Sequence, residues 1–256
     1  LNVTPDSFSD GKLYLDRQRA IDHGLKMVDE GADLLDIGGE STRPGSKPVT
    51  ARQEIARIIP VVEGLSGKIK IPISVDTTKA HVAQAALSAG AEIVNDISAL
   101  SDKKMVAFIK QSGAALILMH MRGKPENMQT GNLAYDDVMG VIISYLKERI
   151  QKVTTAGITK DHLVLDPGIG FGKSYEDNCK IIRKLDELKG LGLPVLIGTS
   201  RKSFIGQVTG GKPEERIEGT AATVAAAIIN GCHIVRVHDV AYMKKVASMT
   251  DAIIHA

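Results

Sequence analysis

The sequence predicts an α/β fold, a single (β/α)8 TIM barrel with its active site at the carboxyl ends of the strands. Three observations predict it. Short apolar runs rich in Val, Ile and Leu alternate with longer amphipathic stretches along the chain. Glycine stands between a helical stretch and the next run at Gly31, Gly90, Gly113 and Gly157. Polar residues gather at the carboxyl end of each run. Eight such units in 256 residues match the size of this barrel. Right-handed βα crossovers follow from the repeat. An open doubly wound sheet is the alternative, but it usually has fewer strands and a glycine-rich first turn.

The opening LNVT reads as the tail of the first strand, whose front half is expected upstream of Leu1. Seven runs follow: 32–39 (ADLLDIGG), 71–77 (IPISVDT), 92–98 (EIVNDIS), 114–121 (AALILMHM), 162–170 (HLVLDPGIG), 193–200 (LPVLIGTS) and 233–239 (HIVRVHD). Continuous apolar runs of this length suit parallel strands covered on both faces. Helices are expected over 17–30, 51–65, 79–89, 102–111, 136–155, 176–188, 213–230 and 240–254. In the first of these, Ile21, Leu25 and Val28 share one face. Gly31, Gly90 and Gly113 sit in a G-A-x-Φ frame, where glycine takes the left-handed helix stop and alanine starts the strand. No linker or low-complexity stretch marks a boundary, so 1–256 reads as one domain.

Composition excludes several functions. Lys+Arg 32 against Asp+Glu 30 leaves a formal charge of +2, with 4% aromatics and no Trp. That is neither a basic stripe nor a stacking platform, so no nucleic-acid partner is expected. The longest nearly unbroken apolar run, 221–229, is interrupted by Thr223. It falls far short of the roughly 20 residues a membrane span needs, and no signal peptide is seen. Cys179 and Cys232 are too few for a disulfide framework and read as two buried thiols in a reducing, cytoplasmic setting. The seven His residues show no paired spacing, which argues against a zinc site.

The strand ends carry the chemistry: Asn2 and Thr4, Asp36, Glu40 to Arg43, Asp76, Asn95 with Asp96, His120, Asp166, Ser200 to Lys202, then Arg236 and His238. A charge inside an apolar strand is costly unless it is paired or belongs to a site. Asp76, Asn95 and Asp166, from three strands, could hold a planar heterocycle by its N–H edge. The competing role is helix capping, which Pro167 weakens at Asp166 by favouring extended backbone there. Lys202, Arg236 and His238 mark the usual phosphate position of a barrel, and alternation puts the last two on one face. Arg236 could instead neutralise a barrel carboxylate. The loops 4–11 (TPDSFSDG) and 40–48 (ESTRPGSKP) read as covers over the site rather than plain turns. The segment 167–174 (PGIGFGKS) is a near-miss to a phosphate-binding P-loop, with Pro167 where the first glycine is required.

Taken in order, LNVTPDSFSDG, DIGGESTRPG, SVDT, NDIS, LMHM, LDPGIGFGK, SRKSFIG and RVHD resemble the signature segments of bacterial dihydropteroate synthases along nearly the whole chain. The resemblance implies a transferase of the EC 2.5.1 class in folate biosynthesis. It joins 6-hydroxymethyl-7,8-dihydropterin diphosphate to p-aminobenzoate, and Mg²⁺ assists the leaving diphosphate. Such enzymes are sulfonamide targets and are commonly homodimers. Carried over by position, the resemblance implies that Asn2 meets Mg²⁺ and that Asp76, Asn95, Asp166 and Lys202 hold the pterin. Ile97, Met119 and Phe171 would wall the ring. Thr42, Arg236 and His238 would bind diphosphate, and Arg43 would close over it. Phe8, Pro44 and Ser203 would border the p-aminobenzoate pocket. Asp76, Lys202 and Arg43 would be the catalytic residues. A methyltransferase with a related pterin barrel would share the Asp/Asn pocket but has no need of Arg236, His238 and the diphosphate loops. A non-catalytic pterin binder would be expected to lack one of Asn2, Arg43, Lys202 or Arg236, and all four are present.

Overall fold

The computed structural model describes residues 1–4, 13–42 and 45–256, the side chains of residues 13–16 excepted. Helix α1 (Leu13–Asp29) is followed by β1 (Leu35–Gly38), α2 (Ala51–Ser66), β2 (Ile73–Asp76), α3 (Ala80–Ser88) and β3 (Ile93–Asp96). Then come α4 (Met105–Ser112), β4 (Ala115–Met119), α5 (Val138–Thr155), β5 (Leu163–Asp166) and α6 (Tyr175–Arg183). The chain ends with β6 (Leu196–Ile197), α7 (Ser203–Thr209), α8 (Ile217–Ile229), β7 (Ile234–Val235) and α9 (Val240–Ile254).

The strands β1 to β5 form one parallel sheet in chain order, and β6 pairs parallel with β7. A parallel bridge between Leu165 and Val195 joins the two sheets, and another between Asn2 and Gly38 sets the opening segment beside β1. Eight parallel segments therefore follow one another in sequence order, as in a (β/α)8 barrel. Among the described residues no ladder joins β7 to the opening segment.

Local chemistry explains the elements. Gly31, Gly90, Gly113 and Gly157 all have positive φ, between 69° and 110°, as the helix-stop reading requires. Helix α2 starts with a capping box, in which Thr50 and Gln53 exchange side-chain and backbone bonds. Its Ile58, Val61, Val62 and Leu65 recur at helical spacing and are fully buried. Each such side chain contributes roughly 1.5–3 kcal/mol against the sheet.

Three expectations are corrected. The last two strands are two residues long, because the polar ends of their runs turn off into loops. The helix expected over 213–230 starts at Ile217 instead, after a short 3-10 turn, and α7 was not expected at all. Cys179 is exposed and Cys232 half-buried, so the pair of buried thiols is not found.

Candidate active site

Strand register assembles the site. Gly38 pairs with Asp76, Asp76 with Asn95 and Asn95 with Ile117, and farther along Met119 pairs with Asp166. Period-two alternation then aims like positions at one space. Asp76, Asn95, Ile97, Met119 and Asp166 are all buried at these carboxyl ends.

Arg236 follows β7 and crosses the barrel. Its Nε donates to Asp36 Oδ2 at 2.6 Å and its Nη2 to Asp76 Oδ2 at 3.0 Å. Asn95 Nδ2 also donates to Asp36 Oδ2, at 3.1 Å. Two carboxylates thus share one guanidinium, and their titrations part. Burial would raise the Asp36 pKa, but the Arg236 charge together with hydrogen bonds from Ser74 and Asn95 outweighs it and holds the carboxyl below the usual range. Burial, partly offset by Arg236 and reinforced by Asp36, pushes Asp76 up to about 7. Asp36 Oδ1 and Asn95 Oδ1 are buried with no hydrogen-bond partner among the described residues. Acceptors left in that state are costly unless a ligand or water reaches them.

On the opposite wall, Asp166 Oδ1 accepts from Gly168 N at 2.6 Å. Burial raises its pKa even though Lys202 opposes the shift. The Lys202 ammonium donates to Ile169 O and lies 4.8 Å from the centre of the Phe171 ring, a cation–π contact. Burial brings its pKa down to about 8, against the pull of Asp166. His238 Nδ1 meets Ser200 Oγ at 2.9 Å. Desolvation and the Arg201 and Arg236 charges lower its pKa, although the residue keeps solvent contact.

Thr42 lines a cavity of about 420 Å³ together with Asp76, Ile97, Lys79 and Tyr145. Asn2 is exposed, with its backbone bridged to Gly38. Ser203 is exposed at the first turn of α7. Phe8, Arg43, Pro44 and most of the first expected cover loop lie outside the described residues.

The structure therefore gathers Asp76, Asn95 and Asp166 with Lys202 and Arg236 at one end of the sheet. In the described structure Arg236 is spent on carboxylates, the competing role weighed for it above. Among the described residues two of its five N–H groups are used, which leaves three for another partner. Sequence reading assigned no role to Asp36, although its place at a strand end was the available signal. It also passed over the fork in which Arg201 Nε and Nη2 clamp Asp239. Arg201, like Ala99 and Leu100, has a positive φ in a loop that follows a strand. Such strained residues cluster at functional rims.

A parallel α/β barrel with acids and cations converging at its carboxyl end defines a small-molecule enzyme. The pterin binding enzyme family matches residues 1–238. A dihydropteroate synthase of Bacillus subtilis is 47% identical over 256 residues, covering 100% of this chain and 87% of that protein. A dihydropteroate synthase of Clostridium difficile, crystallised in the presence of pteroic acid, superposes with a TM-score of 0.92 at 47% identity, covering 99% of this chain and 94% of that one. The enzyme of Xanthomonas albilineans in complex with 7,8-dihydropteroate superposes at 0.90 with 41% identity, covering 100% and 92%. The chain belongs to the dihydropteroate synthase family of pterin-binding enzymes.

Proposed function

We propose that the chain condenses 6-hydroxymethyl-7,8-dihydropterin diphosphate with p-aminobenzoate to give 7,8-dihydropteroate and diphosphate. The observation that carries this reading is the pair of walls, Asp76 with Asn95 and Asp166 with Lys202, in a chain whose relatives were crystallised in the presence of pteroic acid and in complex with 7,8-dihydropteroate. A pterin presents a planar, donor-rich edge. Asp166 Oδ2 and the unpartnered Asn95 Oδ1 are acceptors for it. Ile97, Met119 and Phe171 supply apolar walls.

Displacement breaks the C–O bond of the hydroxymethyl group, whose electron pair leaves with the diphosphate. The cation left on the methylene spreads into the ring, where Asp76 and Asp166 stabilise it in a site shielded from water. The amine of p-aminobenzoate then forms the C–N bond and releases its proton to solvent. Thr42, His238 and the free N–H groups of Arg236 suit the diphosphate, and Arg43 would close over it. Phe8, Pro44 and Ser203 would border the p-aminobenzoate, at the place where sulfonamides compete.

Mg²⁺ would be held by the Asn2 amide with substrate oxygens and water. Among the described residues no cluster of three acids or histidines forms a metal cage. Such an ion takes few protein ligands and shares its substrate's phosphates. Bound there, it would neutralise charge on the leaving diphosphate.

The enzyme would pair as a homodimer through α8 and α9, where Ile229, Met249 and Ile253 are each at least 60% exposed. The two unpaired thiols suit the cytoplasm. Among the described residues no helix is long and apolar enough to cross a membrane.

The test is diphosphate release from the pterin diphosphate with Mg²⁺, with and without p-aminobenzoate. Release that depends on p-aminobenzoate, with a product of dihydropteroate mass, is expected. Pterin binding with no release overturns the synthase reading in favour of the methyltransferase or the non-catalytic binder.

A further inference from the structure

The loop after β5 is built around a buried lysine that the reaction does not use. Lys173 is 2% exposed, yet its ammonium is fully received. Nζ donates to Gly168 O at 2.8 Å, Phe171 O at 3.1 Å and His120 O at 3.2 Å. Three protons meet three carbonyls, which matches the donor capacity of an ammonium. Burial still draws its pKa down to about 7, against the pull of Asp166.

The carbonyls of Gly168, Ile169, Gly170 and Phe171 follow one another, and each accepts from a side chain. The donors are Lys173, Lys202, Gln129 and Lys173 again. The first and last of the four share one cation. Lys202 therefore rests on a carbonyl whose neighbours on both sides are fixed, and it lies over Phe171, whose own carbonyl Lys173 holds. Asn178 Oδ1 accepts from Gly170 N at 2.7 Å and secures the turn from the helix side. The backbone has no room to slip, because Gly168 and Gly172 have positive φ and a Cβ on either would run into the carbonyls of His120 and Arg122. This explains why PGIGFGK resembles a phosphate loop without being one. Its lysine points inward to backbone carbonyls, and the amides of Gly168, Gly170 and Phe171 are already taken by Asp166, Asn178 and the Gly168 carbonyl.

We infer that Lys173, seconded by Gln129, is a positioning residue for the pterin end of the substrate, fixing the Gly168 to Phe171 turn so that the Phe171 ring and the Lys202 ammonium stand in place before the ligand arrives. The inference rests on the pterin reading above. It assigns Lys173 no contact with substrate, since its three protons are committed to backbone.

Lys173→Met keeps the stem and removes the ammonium. Pterin affinity, measured by calorimetry with 6-hydroxymethylpterin, is expected to fall about tenfold, the scale of one charged hydrogen bond. KM for the pterin diphosphate should rise with it, while KM for p-aminobenzoate stays put. The losses from Lys173→Met and Lys202→Met should be less than additive in the double variant, because the two side chains act through one turn. A structural role alone would lower thermal stability and leave these affinities and their coupling unmoved. Where Lys173→Met does not fold, Gln129→Leu removes the donor to Gly170 O and is expected to weaken the pterin severalfold. Unchanged pterin affinity in a folded variant overturns the inference. Failure of the unaltered protein to bind pterin overturns the functional reading instead.

Discussion

Arg236 is the cation for two carboxylates that were made in other parts of the chain, so removing it strands both. Arg236→Ala leaves Asp36 and Asp76 facing each other without the guanidinium they share. Breaking a buried pair costs about 3–5 kcal/mol, but the Arg236 side chain is 38% exposed, so solvent screening brings the expected loss to roughly 1–3 kcal/mol by urea unfolding. Affinity for the pterin diphosphate should fall far more than affinity for a pterin lacking phosphate. Equal losses would show that the residue serves only the carboxylates. Asp166→Asn should weaken pterin binding by about 2–3 kcal/mol in calorimetry, since it replaces a charged acceptor with a neutral one. At this scale the site was partly legible. A strand-end acid or cation can be read as a site candidate because an apolar strand has no other use for it. Its partner cannot be read, because Asp36 and Arg236 lie 200 positions apart and only barrel geometry brings them together.

Loops do more here than connect elements. The turn from Gly168 to Phe171 owes its shape to positive-φ glycines and to side chains donating from outside it. Gly168→Ala adds a Cβ against the His120 carbonyl at a φ of 71°. It should cost about 3 kcal/mol or more of stability, read as a drop in the urea midpoint with an unchanged slope. The segment 162–170 reads as one strand in the sequence because its apolar residues run on past Asp166. Hydrophobicity does not report that Gly168 and Gly170 have turned. The split before α8 was hidden for a related reason. The Arg216 side chain donates to the carbonyl of Gly211 and to that of Arg201, 15 positions back, and the second bond leaves no local trace in the sequence. The helix stops at Gly31, Gly90, Gly113 and Gly157 were legible because the residue itself carries the geometry.

For the whole molecule, two of the buried groups contribute opposing slopes of stability with pH. Asp76 has a folded pKa raised to about 7 from an ordinary 3.8. Between those values the folded protein binds more protons than the unfolded chain, so this group makes stability fall as pH rises. Lys173 has a folded pKa lowered to about 7 from an ordinary 10.5. In that window the unfolded chain binds more protons, and stability rises with pH. The two contributions together are least favourable near pH 7. Urea titrations at several pH values should show the lower slope reduced in Asp76→Asn and the upper slope reduced in Lys173→Met.

The division of the barrel into a five-strand and a two-strand sheet, joined among the described residues by the Leu165–Val195 bridge, has a kinetic side. Short ladders at a seam open at lower free energy than long ones, and native amides then trade hydrogen for deuterium in separate cooperative groups. Amides of β6 and β7 should exchange well before those of β2 to β4. Asp76 and Asn95 belong to the slow group, while Lys202 and Arg236 adjoin the fast one. Each opening of the smaller sheet therefore draws the positive half of the site away from the negative half, and bound pterin, by touching both, should slow the exchange of the faster half.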